Sequence, residues 1–143
     1  MNAPKLSGST LQNLGLLVLR VGVGSSMFLN HGLGKLLAGP EKWEKVGGAM
    51  EMVGISFLPL FWGFMAAFAE SIGSLMLVLG LKTRLAAFLL ACTMVMAALT
   101  HLNLPPEEAR AGWSGASHAL EFLSVSIALI CLGGGAWGLD RKG

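Results

Sequence analysis

The sequence predicts an all-α integral membrane protein, a single domain of 143 residues with four transmembrane helices in an up-down bundle. Three observations indicate this fold. Hydrophobic residues make up 54% of the chain and charged residues only 13%, well below the charged share of a soluble domain. Mean hydropathy is +0.68. Four apolar windows are long enough to cross a bilayer, and they lack the charged stripe of a soluble amphipathic helix.

Each predicted span is a window of about 20 apolar residues, the length that crosses the hydrocarbon core as a helix. The windows cover residues 14–33, 57–81, 85–104 and 116–139. Between the second and third windows there is room only for a tight turn, made of Lys82, Thr83 and Arg84. Because short connections join antiparallel neighbours, these two spans should form a helical hairpin.

The first connection is the longest, and it mixes charged and apolar residues. Its apolar positions recur at rough helical spacing: Leu36, Trp43, Val46, Met50 and Val53. This pattern favours an amphipathic helix lying in the membrane interface, with a solvated loop as the alternative.

The distribution of Lys and Arg predicts the orientation of the spans in the membrane. With both termini in the cytoplasm, the inside set is Lys5, Lys82, Arg84, Arg141 and Lys142, and the outside set is Lys35, Lys42, Lys45 and Arg110. This small excess inside predicts that both termini lie on the cytoplasmic side of a bacterial-type inner membrane. The net charge of +2, from scattered residues, gives no indication of nucleic-acid binding.

Ionisable side chains within the predicted spans are candidates for function, because burying charge in a membrane is costly. They are Arg20, His31, Glu70, His101, His118 and Glu121. Helical spacing puts each of them on a face that also carries small residues, and such faces pack together in membrane bundles. We therefore expect these side chains to face the interior of the bundle.

Arg20 and Glu70 lie at the same estimated depth, each about 20 Å along its helix from the outer end of its span. An Arg–carboxylate pair can be bidentate, and each ion lowers the cost of burying the other. The sequence therefore predicts an Arg20–Glu70 ion pair. Two interpretations stay open, a structural lock on helix register and a polar floor beneath a ligand pocket.

The other four ionisable residues form a second predicted layer near the outer ends of the spans: His31, His101, His118 and Glu121. Three interpretations stay open, namely histidines without a ligand, a pocket for a quinone or another small ligand, and a metal site. In a quinone pocket, a His would hydrogen-bond a quinone carbonyl and Glu121 would be its proton partner. A single His-x-x-Glu pair has no second copy, so no metal ligand is assigned.

Two blocks of the chain carry a characteristic set of residues in a fixed order. Residues 16–36 contain Arg20, His31, Gly32 and Lys35, and residues 68–87 contain Glu70, Gly73, Gly80, Thr83 and Arg84. Together with His101, Glu121 and the closing Gly-Leu-Asp at 138–140, they resemble the DoxX family of small membrane proteins. That family takes its name from a small subunit of a thiosulfate:quinone oxidoreductase. Other members resemble accessory subunits of membrane redox or detoxification assemblies.

The resemblance and the buried polar residues together favour a membrane subunit of a redox complex, with a quinone or a similar hydrophobic ligand between the helices. His101, His118 and Glu121 are then the candidate catalytic residues, and Arg20, Glu70 and His31 the candidate ligand-binding residues. The alternatives are a non-catalytic accessory subunit and a membrane protein that handles a small solute or a metal. The expected partners are the lipid bilayer and other membrane subunits or further copies of this chain.

Overall fold

The computed structural model describes residues 8–140, and this part of the chain is helical, without β-strands. Four of its helices are long and apolar enough to cross a membrane: Ser9–Leu37 (span 1), Pro59–Leu79 (span 2), Thr83–Asn103 (span 3) and Gly112–Leu132 (span 4). The predicted all-α fold with four spans is therefore confirmed. Lys5, Arg141 and Lys142, which enter the orientation count, lie outside the described residues.

The two ends of the bundle differ in what they carry. We call distal the end where span 1 meets the first connection and spans 3 and 4 are joined. We call proximal the opposite end, where Gly80–Lys82 turn the chain from span 2 into span 3. A tight turn is present as predicted, but it lies at Gly80–Lys82, with positive φ angles at Gly80 and Lys82, and the predicted turn residues Thr83 and Arg84 already belong to span 3. Spans 2 and 3 therefore form an antiparallel hairpin.

The observed spans differ from the predicted windows at their ends. Span 1 begins before residue 14 and runs past residue 33 to Leu37, because polar residues that lower hydropathy do not stop a helix. Span 4 ends at Leu132 instead of residue 139. The next residue, Gly133, has a φ of 76°, a conformation that glycine adopts without steric cost but that ends a right-handed helix.

Spans 1 and 2 each contain one π-helical turn. Span 1 consists of α1 (Gly8–Met27), a π turn (Phe28–Gly32) and α2 (Leu33–Leu37). Span 2 consists of α4 (Pro59–Phe68), a π turn (Ala69–Gly73) and α5 (Ser74–Leu79). The two π turns pack against each other. Because π turns inside α-helices occur frequently at functional sites, their contact indicates a candidate functional site at this level of the bundle.

The first connection contains the helix that its apolar spacing predicts. It forms α3 (Pro40–Gly47), followed by a 3-10 turn (Gly48–Val53), and α3 packs against α4. A Cβ at Gly63 would lie 1.6 Å from the carbonyl oxygen of Trp43, so the two helices meet backbone to backbone. The indole Nε1 of Trp43 donates a hydrogen bond to the carbonyl oxygen of Lys35 at 2.8 Å. These contacts fix α3 beside the distal end of the bundle.

Spans 3 and 4 are α6 (Thr83–Asn103) and α7 (Gly112–Leu132), and they form the most extensive helix pair. Small residues are buried on both helices, as is usual where membrane helices approach closely. The buried alanines of this pair are Ala86, Ala87, Ala91, Ala98, Ala116 and Ala119. Larger buried side chains complete the core, while many leucines and phenylalanines point outward, where a bilayer would cover them.

Candidate functional site

The buried carboxylate of Glu70 is the centre of the candidate site. Glu70 lies in the π turn of span 2 and is only 1% exposed. Its Oε1 accepts a hydrogen bond from Lys35 Nζ at 2.6 Å, a charge-assisted contact between span 2 and the last turn of span 1. Its Oε2 is buried and has no hydrogen-bond partner within residues 8–140. Since buried polar atoms are normally satisfied, Oε2 is free to accept a bond from a ligand.

Gly32 sets the distance between the two π turns. A Cβ at this position would lie 2.1 Å from the carbonyl oxygen of Glu70, so only a residue without a side chain allows the backbones to meet. This close approach brings Lys35, three residues further along span 1, within reach of the Glu70 carboxylate. The ion pair therefore depends on Gly32 in span 1 and on the position of Glu70 in the π turn of span 2.

The predicted Arg20–Glu70 ion pair is absent from the structure. Gly32 lies beside Glu70, and Arg20 precedes Gly32 by 12 residues, about 18 Å of helix. The depth estimate was wrong because it assumed that span 1 ends level with the start of span 2. In the structure α3 packs beside α4, so the distal end of span 1 lies deeper in the bundle than the start of span 2. Every residue of span 1, including Arg20, is therefore shifted toward the proximal end relative to span 2.

Arg20 instead joins three parts of the chain at the proximal end. It is fully buried, and its guanidinium donates hydrogen bonds to the carbonyl oxygens of Leu77 (3.4 Å) and Trp137 (3.1 Å). A Cβ at Gly80 would lie 1.8 Å from Arg20 Nη1, so the guanidinium packs directly against the turn between spans 2 and 3. The charge of Asp140 also acts on it. Arg20 thus has the position of a structural clamp, remote from Glu70.

A cavity of about 670 Å³ lies between span 2, span 3 and the first connection. Its polar lining residues are Lys35, Lys42, Lys45, Glu70, Thr93, Thr100, His101 and Arg110, and the rest of its lining is mainly apolar. A volume of this size suits a small organic ligand, and a mostly apolar wall with a few polar groups is typical of ligand pockets. Glu70 is the only carboxylate among the lining residues.

His101 is the one histidine that lines this cavity. Its Nδ1 lies 2.9 Å from the carbonyl oxygen of Arg110. A carbonyl oxygen only accepts, so the ring donates its proton from Nδ1, and a neutral ring then has Nε2 as an acceptor. The predicted candidate residues Glu70 and His101 therefore share one cavity, on spans 2 and 3.

The other members of the predicted outer layer lie elsewhere. The Nε2 atoms of His31 and His118 are 3.0 Å apart, and the ring of His118 also packs on Phe122. One ring nitrogen must donate and the other accept, so at least one of the two rings is neutral while the bond exists. Glu121 and His118 are both exposed on span 4, so the prediction that they face the interior of the bundle is wrong. His31, His118 and Glu121 do not line the cavity.

The structure adds site residues that the sequence did not mark. Lys35 was noted only in the family pattern and the orientation count, and Lys42, Lys45 and Arg110 only in the orientation count. The spacing of Lys35, one helical turn after His31, is the signal that could have placed it on the ionisable face of span 1. Within the described residues, no group of three or more His, Cys, Asp or Glu side chains is arranged to hold a metal ion.

Comparison with known proteins assigns the chain to a family. No curated protein matches it, and no solved structure does. The DoxX family model matches residues 15–103, well over half of the chain. The matched region runs from span 1 to the end of span 3 and includes Arg20, Gly32, Lys35, Glu70 and His101. The chain therefore belongs to the DoxX family of membrane proteins.

Proposed function

We propose that this chain is a membrane subunit of a redox complex and that it binds a quinone in the cavity beside Glu70. The observation that carries the proposal is the unpartnered Oε2 of a carboxylate that is 1% exposed and lines that cavity. An intramembrane carboxylate is costly to bury, and Lys35 bonds only one of its two oxygens, so a ligand that donates to Oε2 would satisfy the other.

The lining residues can meet both redox forms of a quinone. The Lys35 ammonium has three donors and uses one on Glu70, so another can bind a quinone carbonyl. A quinol hydroxyl can donate to Glu70 Oε2, or to Nε2 of a neutral His101. Reduction of a quinone to a quinol takes two electrons and two protons. In this proposal the electrons come from a redox-active partner subunit, and Glu70 and His101 exchange the protons.

The proposal changes the roles that the sequence predicted for the individual residues. Glu70 and His101 keep theirs, as ligand-binding and proton-exchanging groups, and Lys35 takes the position that was expected for Arg20. His31, His118 and Glu121 lie outside the cavity lining, so the proposal gives them no contact with the quinone. The cytoplasmic location of the termini stays a prediction from the basic residues.

The test is the quinone content of the protein purified from its native membrane. We expect about one quinone per chain in the lipid extract, measured by chromatography and mass spectrometry. Glu70→Leu should lower that content at least about tenfold, since one lost charge-assisted hydrogen bond costs about 1.5–3 kcal/mol. The matched control is Glu121→Gln, which removes a carboxylate at an exposed position of span 4 and should leave the content unchanged.

Two results would contradict the proposal. One is a purified complex with its partner subunits intact and no quinone above the level of bulk lipid. That result would favour the accessory-subunit alternative. The other is a Glu70→Leu variant that folds, as judged by thermal unfolding, and keeps its full quinone content.

A further inference from the structure

We propose that two copies of this chain associate through the outward face of span 4, where Glu121 of each copy pairs with His118 of the other. These two residues are the His-x-x-Glu pair of the sequence, and neither lines the cavity beside Glu70. The dimer is therefore independent of the proposed quinone site. Both copies have the same orientation in the membrane, so the twofold axis that relates them runs along the membrane normal.

The first argument is the depth of an exposed carboxylate. Glu121 lies about 14 Å of helix from Gly112 and about 17 Å from Leu132, which is near the middle of a hydrocarbon core about 30 Å thick. Its side chain is exposed and forms no ion pair within residues 8–140. Ionisable side chains at this depth almost always face protein or a water-filled cavity, because their charge is costly to place in lipid. The position of Glu121 therefore indicates that another protein surface covers it.

The second argument is the composition of the surrounding face, which is unlike the outward surface of the other spans. Those spans expose large apolar side chains, among them Val18, Leu75 and Phe88. The face of span 4 around Glu121 instead exposes small polar residues at helical spacing, namely Ser114, Ser117 and Ser124. Small residues allow two membrane helices to approach closely. The hydroxyls of Ser117 and Ser124 donate to carbonyl oxygens of their own helix, so they need no partner outside the chain, whereas the carboxylate does.

The third argument is that this face carries both halves of a charge-assisted hydrogen bond. A carboxylate only accepts, whereas an imidazolium has two N–H donors. His118 lies one helical turn before Glu121 and is also exposed, and its Nε2 is 3.0 Å from Nε2 of His31, so its Nδ1 is the nitrogen left for a second partner. In a twofold dimer, equivalent residues lie at the same depth. Glu121 of one copy then lies one turn from His118 of the other, and the contact occurs twice.

The ring of His118 is already held in place before any association. It packs on Phe122 with ring centroids 4.7 Å apart, and its Nε2 contacts His31. A protonated His118 would donate from Nε2 to a neutral His31 and from Nδ1 to Glu121 of the second copy, so that cation and carboxylate neutralise each other. Because the ring is held, little side-chain freedom is lost on association. A cation on an unrelated subunit would also pair with Glu121, but it would leave Nδ1 of His118 unused.

The experiment measures dimerisation in liposomes by energy transfer between donor- and acceptor-labelled copies, over a range of protein-to-lipid ratios. We expect a dimer in the wild type. Glu121→Leu should weaken it at least about tenfold, because two interhelical hydrogen bonds are lost. The matched control Glu108→Leu removes an exposed carboxylate from the connection between spans 3 and 4, and it should retain wild-type affinity. Thermal unfolding checks that each variant folds.

Mixing two variants tests the pairing itself. Dimers of Glu121→Leu alone, or of His118→Leu alone, contain no contact between these two side chains, whereas a mixed dimer keeps one. The association constant of the mixed dimer, corrected for statistics, should therefore be about threefold higher or more, as expected for one interhelical hydrogen bond in a membrane. A mixed dimer present only at its statistical share would overturn the proposal.

Disulfide cross-linking locates the interface on the chain. In a background of Cys92→Ala/Cys131→Ala, oxidation of Ser124→Cys should give a covalent dimer, whereas Phe88→Cys, exposed on span 3, should stay monomeric. Cross-linking at position 88 and not at position 124 would overturn the proposal. So would wild-type affinity in a folded Glu121→Leu variant. A chain that is monomeric in liposomes at the highest protein-to-lipid ratio would also overturn it and would leave Glu121 to a different subunit.

Discussion

At the scale of single residues, the two buried charged side chains, Glu70 and Arg20, have different partners and hence different consequences. Glu70 pairs with Lys35, whose side chain is 28% exposed, so the lysine of this pair is partly accessible while the carboxylate is buried. Arg20 is fully buried and is held by two backbone carbonyls and the charge of Asp140. A charge held by the backbone fixes structure, whereas a carboxylate with one unpartnered oxygen beside a cavity is available to a ligand.

Replacing Lys35 should destabilise the protein, because it leaves the buried Glu70 carboxylate without its ion-pair partner. We expect Lys35→Met to lower the free energy of unfolding by about 3 kcal/mol, the lower end of the range for breaking a buried pair, because Lys35 is partly exposed. Chemical unfolding in mixed micelles would measure this. The double variant Lys35→Met/Glu70→Leu should regain part of the loss. A double variant as unstable as the sum of the two single variants would argue against direct coupling.

At the scale of elements, the contact between the two π turns decides how spans 1 and 2 fit. Gly24 also lies close to span 2, since a Cβ there would be 2.7 Å from the carbonyl oxygen of Ser74. Gly24 and Gly32 together form a small-residue face on span 1, and the backbone of span 2 packs closely against it, with the Val78 side chain beside Gly24. The antiparallel register of these helices follows from where those glycines lie.

A methyl group at Gly32 should disturb this contact. We expect Gly32→Ala to lower the free energy of unfolding by about 1–3 kcal/mol, because the added Cβ must push two backbones apart. The matched control is Gly22→Ala, in the same span, where a Cβ would meet nothing within 4 Å. The control should be neutral or slightly stabilising, since alanine favours a helix. Equal effects of the two substitutions would mean that the close approach at Gly32 is unimportant for stability.

At the scale of the whole molecule, the proximal end ties the last described residues to the first span. The backbone N–H groups of Leu139 and Asp140 donate to the carbonyl oxygens of Leu79 and Gly80, at 3.1 and 2.9 Å. The side chain of Asp140 accepts a bond from the backbone N–H of Thr83 at 2.9 Å, so it caps the start of span 3. Arg20 of span 1 bonds the carbonyl oxygen of Trp137 at this same end, so spans 1, 2 and 3 and the segment after span 4 meet there.

Removing the Arg20 side chain should loosen this junction. We expect Arg20→Met to destabilise the protein by about 3 kcal/mol, from two lost bonds to a charged donor. Hydrogen exchange should show earlier loss of protection at residues 133–140 than elsewhere. The control Arg84→Met removes an exposed arginine with one bond, to the Cys131 carbonyl, and should cost less than about 1 kcal/mol. Unchanged protection of residues 133–140 in Arg20→Met would contradict the role of Arg20 in holding these residues against the bundle.

Individual residues show how much of the fold and of the candidate site can be predicted from the sequence alone. The apolar windows located all four spans, and the cost of burying charge correctly marked Arg20 and Glu70, both of which are buried inside the bundle. The same reasoning paired them wrongly, because hydropathy reports the length of a span and not its depth relative to a neighbour. It also grouped His101 with His118, although His101 lines the cavity and His118 contacts His31 of span 1.

The sequence by itself determined that this is an all-helical membrane protein and which ionisable residues lie within its spans, because those properties depend on local composition and helical period. Only the tertiary structure decided the partners, since they depend on register. Backbone contact at Gly32 fixes the register of span 1 against span 2. In that register Glu70 pairs with Lys35, and Arg20 bonds to the backbone at the proximal end. The cavity likewise exists only because α3 packs beside span 2.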